Sequence, residues 1–336
     1  MFTKKILIVC LIFLITLGIF SACGSKTENE TQKITTIYGD WPPDLIAYLA
    51  QEKGFYEKND VNVELIRGEG YEEQLAKRKE LGNQLIWTYT ILDFIQEYSE
   101  NPTTETQVVL IEDHSDGADA VLAMTESNIN SIADLKGKKV GVEKGQVSDF
   151  FLHILLDEAN INTSEIETID ISSENIPQAF IDGKIDAGVA YEPAITEAVN
   201  NGAKIVIDSK TVNNAIVDVY VSNSQYIEKN EKAFKKFIAA ILDTVEYFEN
   251  NQKECLEIMA KPFNSDVQEL EDTFKGISLT NRNNNSLMFS KSAGPDSLEN
   301  LIRKATRYLN DQDQKINEFE IEDLTNSNLV NSIMNL

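Results

Sequence analysis

The chain of 336 residues is 42% hydrophobic and 25% charged, a balance that supports a packed core and excludes an intrinsically disordered, collagen-like or multi-span membrane protein. Its 55 acidic against 30 basic side chains leave a formal charge of −25, which repels nucleic acid, and no basic patch offsets it. Three cysteines, Cys10, Cys23 and Cys255, supply neither a disulfide framework nor the spacing of a structural zinc site.

Lys4 and Lys5 precede an apolar run from Ile6 to Phe20, closed by the small residues Ser21 and Ala22 before Cys23. The run is shorter than the roughly 20 residues that cross a hydrocarbon core, so residues 1–22 are expected to be an export signal peptide rather than a permanent anchor. Cys23 after Phe-Ser-Ala resembles the bacterial lipobox, in which that cysteine is diacylated and becomes the first mature residue; Phe20 stands where leucine is usual. Residues 23–33 would then be the lipid-attachment site and a solvated tether on the outer face of a membrane. Cys255, beside Leu256 and Met259 in a helical stretch, reads as a buried structural thiol.

From Lys33 onward, short apolar runs alternate with segments of helical period, which predicts an α/β fold. Ile34–Tyr38 reads as a strand that stops at Gly39-Asp40-Trp41-Pro42-Pro43, and Asp44–Lys53 as a helix closed by Gly54. Val61, Val63 and Leu65 alternate as a strand does, Tyr71–Leu81 returns to helical spacing, and Leu85–Thr88 and Gln107–Ile111 are further strands. Ser131 and Asp134 have capping-box spacing ahead of a strand at Lys139–Val142. Gly145 frees the backbone for a turn, and Ser148 is expected to cap a helix whose buried stripe is Phe151, Ile154 and Leu155. Strands follow at Ile166–Ile171, Asp186–Ala190 and Lys204–Ile207, with helices at Ser173–Ile181 and Glu192–Asn201 between them.

After a strand at Ile216–Val221 the remainder reads as entirely helical: Glu228–Glu249 with its stripe of Phe234, Phe237, Ile241 and Val245, then Asp266–Phe274 and Leu298–Leu309 around a polar Asn281–Ser286 loop. The apolar cluster Ile321, Leu324, Leu329, Val330 and Ile333 is expected to dock the tail. A chain of this size is expected to divide. The expected lobes are 34–112 with 216–336, and 113–215, the chain crossing near Glu112–Asp119 and again near Asp208–Ala215.

In open parallel sheets ligands collect beyond the carboxyl ends of strands. That rule selects Asp40–Pro43, Thr88–Thr90, Asp113–Asp119, Glu143–Ser148 and Tyr191-Glu192. Trp41, Tyr89 and Tyr191 offer flat walls and Thr88, Ser115 and Ser148 offer hydroxyls, while Trp87, inside a strand, reads as core. The carboxylates Asp40, Asp113, Asp116, Asp119, Glu143 and Glu192 fall on the same loop ends, where they could receive an ammonium or amidine-like group and would disfavour a small bare anion. The two histidines, His114 in an acidic loop and His153 within a helix, have no metal-ligand spacing. No Walker loop, Gly-x-Gly-x-x-Gly turn or Gly-x-Ser-x-Gly elbow occurs, so capture of a solute fits better than catalysis, with no cofactor and no metal.

Asp134-Leu-Lys-Gly-Lys-Lys-Val-Gly-Val142, Gly117-Ala-Asp119, Phe180-x-x-Gly183-x-x-Asp186-Ala187 and Ala190-Tyr-Glu-Pro193 resemble segments of the extracytoplasmic solute-binding proteins of ABC importers for nitrate, taurine and alkanesulfonates, and of the related binders of thiamine-pyrimidine precursors. The resemblance covers about 34–334; Tyr191 stands where that group often has tryptophan. It implies a type II periplasmic-binding-protein fold of two α/β lobes about a cleft, with the C-terminal helices on lobe one. It implies contact positions at Trp41, Thr88, Tyr89, Ser115, Ser148 and Glu192, to which the loop-end reading adds Asp119 and Tyr191, a permease and a cytoplasmic ATPase as partners, and no chemistry in the binder itself; a monomer is expected. Thiamine-pyrimidine synthases, which are enzymes, are similar and supply the alternative reading. A structural or adhesive surface lipoprotein is a third.

Overall fold

The computed structural model describes residues 33–336 apart from 102–104, 213, 214, 291–293, 295, 313, 315, 317, 335 and 336. Cys23 and the expected export signal lie outside the described residues.

The strands collect into two sheets. β1 (Lys33–Tyr38), β2 (Asn62–Arg67), β3 (Ile86–Thr90), β4 (Thr106–Ser115), β10 (Val217–Asn223) and β11 (Ile277–Leu279) form a six-stranded sheet in the order β11-β4-β10-β3-β1-β2. β5 (Asp119–Met124), β6 (Lys139–Val142), β7 (Glu167–Asp170), β8 (Ala187–Tyr191) and β9 (Ala203–Asp208) form the other, in the order β7-β6-β8-β5-β9. Each sheet has a parallel part joined by helices, β1 with β2 and β3, and β6 with β7 and β8. Each also takes an antiparallel strand into its middle, β10 between β3 and β4, and β5 between β8 and β9. The molecule is therefore a two-lobed α/β fold with a cleft between the lobes.

The chain leaves the first sheet at Ser115 and enters the second at Asp119, with Asp116, Gly117 and Ala118 as the crossing. The expected Asp113–Asp119 loop is thus mostly strand. β5 was hidden because Ala118–Ala123 is nearly uniform in polarity and lacks the alternation that marks a half-exposed strand. The return runs from Asp208 to Val217, and Ser209 ties the two crossings together: its hydroxyl lies 2.7 Å from the Ser115 hydroxyl and accepts the Gly117 N–H at 2.7 Å. Gly117 has φ +116, open to glycine and unfavourable for other residues. The Gly276 carbonyl accepts the N–H groups of Asp116 (2.8 Å) and Ala118 (3.0 Å), so the segment leading into β11 braces the same hinge.

Amphipathic periodicity explains most of the packing. The helix Glu231–Asn250 buries Phe234, Phe237, Ile241, Val245 and Phe248 at spacings of 3 and 4, against the helix Leu45–Glu52 and the face of the first sheet that carries Ile86, Leu110 and Tyr220. Val217, Val219 and Val221 point to the opposite face, where they join Phe150, Phe151, Leu301 and Tyr308 in one apolar cluster. That cluster includes residues from both lobes, because the helix Leu298–Asp311 packs on Ile91–Glu100 and also meets Val147–Glu158. The tail docks as expected, with Leu324, Leu329, Val330 and Ile333 buried. Trp87 is core, Cys255 is buried, and the Ser131–Asp134 capping box forms.

Three local expectations are corrected. Ser148 does not cap its helix: the N-cap is Gln146, the helix starts at Val147, and the Asp149 carboxylate takes the Gly145 N–H at 3.0 Å instead. The chain after Val221 is not all helical, since Ile277–Leu279 adds β11 to the edge of β4. The Asn281–Ser286 segment is not a loop but part of a helix, Arg282–Met288, capped by the Asn281 side chain on Asn284 N–H at 3.1 Å. Its buried Asn285 replaces a missing ladder partner of β4, accepting the Ile111 N–H (2.8 Å) and donating to the Ile111 carbonyl (2.9 Å). An amide-rich stretch reads as polar loop, yet one of those amides is a buried structural link.

Candidate functional site

The carboxyl ends of β1, β3 and β4 and the start of β10 share one edge of the first sheet, and the start of β5 and ends of β6 and β8 share one edge of the second. The crossing Asp116–Ala118 joins the two edges. Trp41 sits just past β1 as the N-cap of a single 3-10 turn, Pro42–Asp44, where the adjoining prolines fix its backbone. That turn buries Asp44, whose carboxylate accepts the Gly39 N–H at 2.9 Å and the Thr88 hydroxyl at 2.8 Å. Burial outweighs these bonds and pushes the Asp44 carboxyl up to about 6.

Around Asp44 lie Glu112 and Asp113 at the end of β4 and Asp218 at the start of β10. Burial, reinforced by the neighbouring carboxylates, raises all three well above the ordinary range. Asp113 is 2% exposed and faces Asp44 and Asp119; the Trp41 indole lies beside it. Even so, Trp41 Nε1, Asp113 Oδ2 and Asp218 Oδ1 are buried atoms that complete no hydrogen bond. Deeper in, Glu112, Tyr220 and Thr280 border a cavity of about 10 Å³, room for one water; Glu112 and Tyr220 act on one another there, and the Thr280 hydroxyl is unpartnered.

Asp119 carries the cluster to the second lobe. It is buried, receives the Ser115 hydroxyl, and is pushed by burial up to about 7. Opposite it in the ladder is Tyr191, whose N–H donates to Ser173 Oγ at 2.9 Å; burial, then the charges of Glu143 and Glu174, push its hydroxyl up to about 12. Between the lobes, Thr90, Ile91 and Val217 face Val147 and Phe150 across another cavity of about 10 Å³.

The sequence-selected positions fall into three groups. Trp41, Thr88, Ser115, Asp119 and Tyr191 are linked through Asp44, Asp113 and Asp218 across both edges. Tyr89 points to the other face of β3, where its hydroxyl donates to Glu97 at 2.6 Å and meets Arg78. The Glu192 carboxylate accepts the Thr196 N–H (3.1 Å) and hydroxyl (3.0 Å) in the turn into the helix Ala194–Asn200. Ser148 is buried with an unpartnered hydroxyl, next to Val147 at the inter-lobe cavity. His114 is partly buried, with its proton affinity lowered by burial, and His153 is tied to Asp149.

Asp44, Glu112, Asp218 and Tyr220 were missed. Asp44 reads as an ordinary acidic residue at a helix start, whereas Glu112 and Asp218 carry a usable signal: each interrupts an apolar strand, Val108–Ile111 and Val217–Val221. A charge inside a buried strand needs a partner, and among the described residues neither forms an ion pair. Among the described residues no group of three or more His, Cys, Asp or Glu is arranged to hold a metal ion, and no helix is long and apolar enough to cross a membrane.

Comparison with known proteins agrees with this architecture. The fold matches the periplasmic aliphatic sulphonate binding protein SsuA of Escherichia coli with a TM-score of 0.71 at 16% identity, over 89% of this chain and 99% of that one. A periplasmic sulfonate-binding SsuA of Methylobacillus flagellatus KT, from a provisionally assigned sulfonate ABC transporter, gives 0.74 at 13% identity, over 90% and 94%. By sequence, a Brucella abortus (strain 2308) chain provisionally named a binding protein is 28% identical over 168 residues, 48% of this chain; the match spans about half, 52%, of that relative's length. The family model described as NMT1/THI5 like matches residues 42–255, and the chain belongs to that family.

Proposed function

We propose that this protein is the solute-binding component of an ABC import system, capturing a small polar nitrogen- or sulfur-containing solute between its lobes and presenting the closed form to a permease with its cytoplasmic ATPase. The reading includes an extracytoplasmic location with Cys23 as the lipid-attachment site, lobes of 34–112 with 216–336 and of 113–215, and no catalytic step. The observation that carries it is the convergence of buried and half-buried side chains from both sheet edges, Trp41, Thr88 and Asp113 from one and Asp119 and Tyr191 from the other, beside two crossings clasped by Ser209. Contacts made across both lobes make affinity and closure one linked equilibrium. The sulphonate binders that share the fold support the role.

The test is a melting-temperature screen of the purified chain against taurine, alkanesulfonates, nitrate, polyamines and pyrimidines, with small-angle scattering on any hit. A ligand selective for the native state raises the melting temperature, and closure contracts the particle. A panel without effect, on protein whose native mass spectrum also shows no bound solute, would sink the binding role. Pyrimidine product on incubation with iron and pyridoxal phosphate would replace it with the synthase reading.

A further inference from the structure

The first sheet presents to the cleft a group of carboxylates with no positive side chain to balance them. Asp44, Asp113, Asp218 and, from the second sheet, Asp119 lie close enough to act on one another's ionisation, and among the described residues none of the four forms an ion pair. Lys304 borders the neighbouring inter-lobe cavity but does not pair with them. Two of the four are already answered by the chain: Asp44 by Gly39 and Thr88, and Asp119 by Ser115. Asp113 is answered only in part, by the Trp41 indole beside it, and Asp218 Oδ1 is a buried acceptor with no hydrogen bond, as is Asp113 Oδ2 by strict geometry.

Two buried acceptors that the chain matches only in part are placed for a third party. Glu112 and Tyr220 face the deeper cavity, which has room for a water. Asp113 and Asp218 instead lie within electrostatic reach of Asp119, at the start of the second sheet. Two acceptors beside an indole suit a group that gives at least two hydrogen bonds and carries positive charge. A sulfonate brings only acceptors and a permanent negative charge to that place.

We propose that the captured solute is an organic cation whose ammonium or amidinium group is received by Asp113 and Asp218, with the Trp41 N–H bonding an acceptor elsewhere on the same molecule, and that simple sulfonates are rejected. The assignment rests on the solute-binding reading and narrows it to a charge class that the sulphonate-binding relatives do not suggest.

The experiment is titration calorimetry with putrescine, benzamidine, taurine, ethanesulfonate, nitrate and zinc ion on the intact chain, repeated with Asp113→Asn and Asp218→Asn. Putrescine or benzamidine is expected to bind, ethanesulfonate and nitrate not to, and each substitution to weaken the cation roughly 30-fold or more. The charge panel on the native chain keeps the proposal testable if a variant misfolds. Binding of ethanesulfonate or nitrate in preference to the amines would overturn the cation assignment and leave the solute-binding role standing, and a response to zinc alone would overturn it in favour of a metal. No binding by any of the six would overturn the cation assignment; with no solute in the native mass spectrum either, the binding role falls with it.

Discussion

The two edges of the cleft differ in how their polar groups are spent. On the second sheet Tyr191 N–H is bonded to Ser173, Glu192 to Thr196, and Asp119 to Ser115, which itself meets Ser209; Ser148 is the exception. On the first sheet Asp113, Asp218 and Trp41 keep buried polar atoms unbonded. Unmade bonds at buried groups are a store of free energy that an incoming molecule can release. On the proposed solute-binding reading, the first lobe would recognise the solute and the second would be the pre-satisfied wall that closes on it.

The most forceful way to break that contrast is pH. Burial raises the carboxyls of Asp44 from 3.8 to about 6 and of Asp119 from 3.8 to about 7. Between about 4 and those values the native chain holds protons that the unfolded chain has released, so ligand-free stability falls as pH rises through the window. The Asp44 shift alone is worth on the order of 3 kcal/mol at 1.36 kcal/mol per unit. His153 acts in the same sense, because its bonds to Asp149 outweigh burial and hold its proton affinity up; His114, lowered by burial, acts in the opposite sense. Urea titrations should give a less stable chain at pH 8 than at pH 5. Equal stability, or more at pH 8, would mean that the acidic edge is not strained.

The hinge gives the next largest effect. A Cβ on Gly276 would stand 2.8 Å from Ala118 N and 2.9 Å from its Cα, in the backbone that links the two edges. Gly276→Ala should cost about 2–3 kcal/mol in urea unfolding, since backbone on both sides resists the shift. An unchanged midpoint would show that the crossing is softer than its hydrogen bonds suggest.

How far the residues alone disclose all this varies by region. Elements with strong periodicity, such as Glu231–Asn250, are legible because one face meets solvent, and the strand Lys139–Val142, though closely buried, is legible from the Ser131–Asp134 capping spacing ahead of it. β5, buried on both faces, has no alternation to read, and Arg282–Met288 hides a helix behind four amide-bearing residues near its start. Trp41 and Asp113 were legible from position at strand ends. Asp218 and Glu112 carry a signal as charges in apolar strands, but what they meet depends on which strands flank them: Asp218 meets Asp113 only once β10 is inserted antiparallel to β4, a pairing of residues more than 100 apart in sequence.

Trp41→Ala sharpens the comparison at the recognising edge. The side chain is half-buried against the first-sheet cluster with its indole beside Asp113, so on the proposed reading truncation should weaken solute affinity by about 1–2 kcal/mol. Calorimetry with the best ligand of the panel measures it, and unchanged affinity removes Trp41 from the site.

The smallest effect lies on the far side of the cleft, where the lobes touch in the ligand-free chain. Tyr308, on a helix packed against the first lobe, donates its hydroxyl to Asp149 Oδ2 at 2.9 Å on the second, and its ring stands edge-on to His153. Phenylalanine would keep the ring contact and remove only the bond, and Asp149 would still hold the Gly145 N–H at 3.0 Å, so no buried charge is abandoned. Tyr308→Phe should therefore cost about 1 kcal/mol of stability. The decisive reading is shape: if this bond helps hold the lobes together, the ligand-free variant expands in small-angle scattering while its complex does not. Loss of stability without expansion would make the bond a local one, and closure would then depend on the carboxylate edge alone.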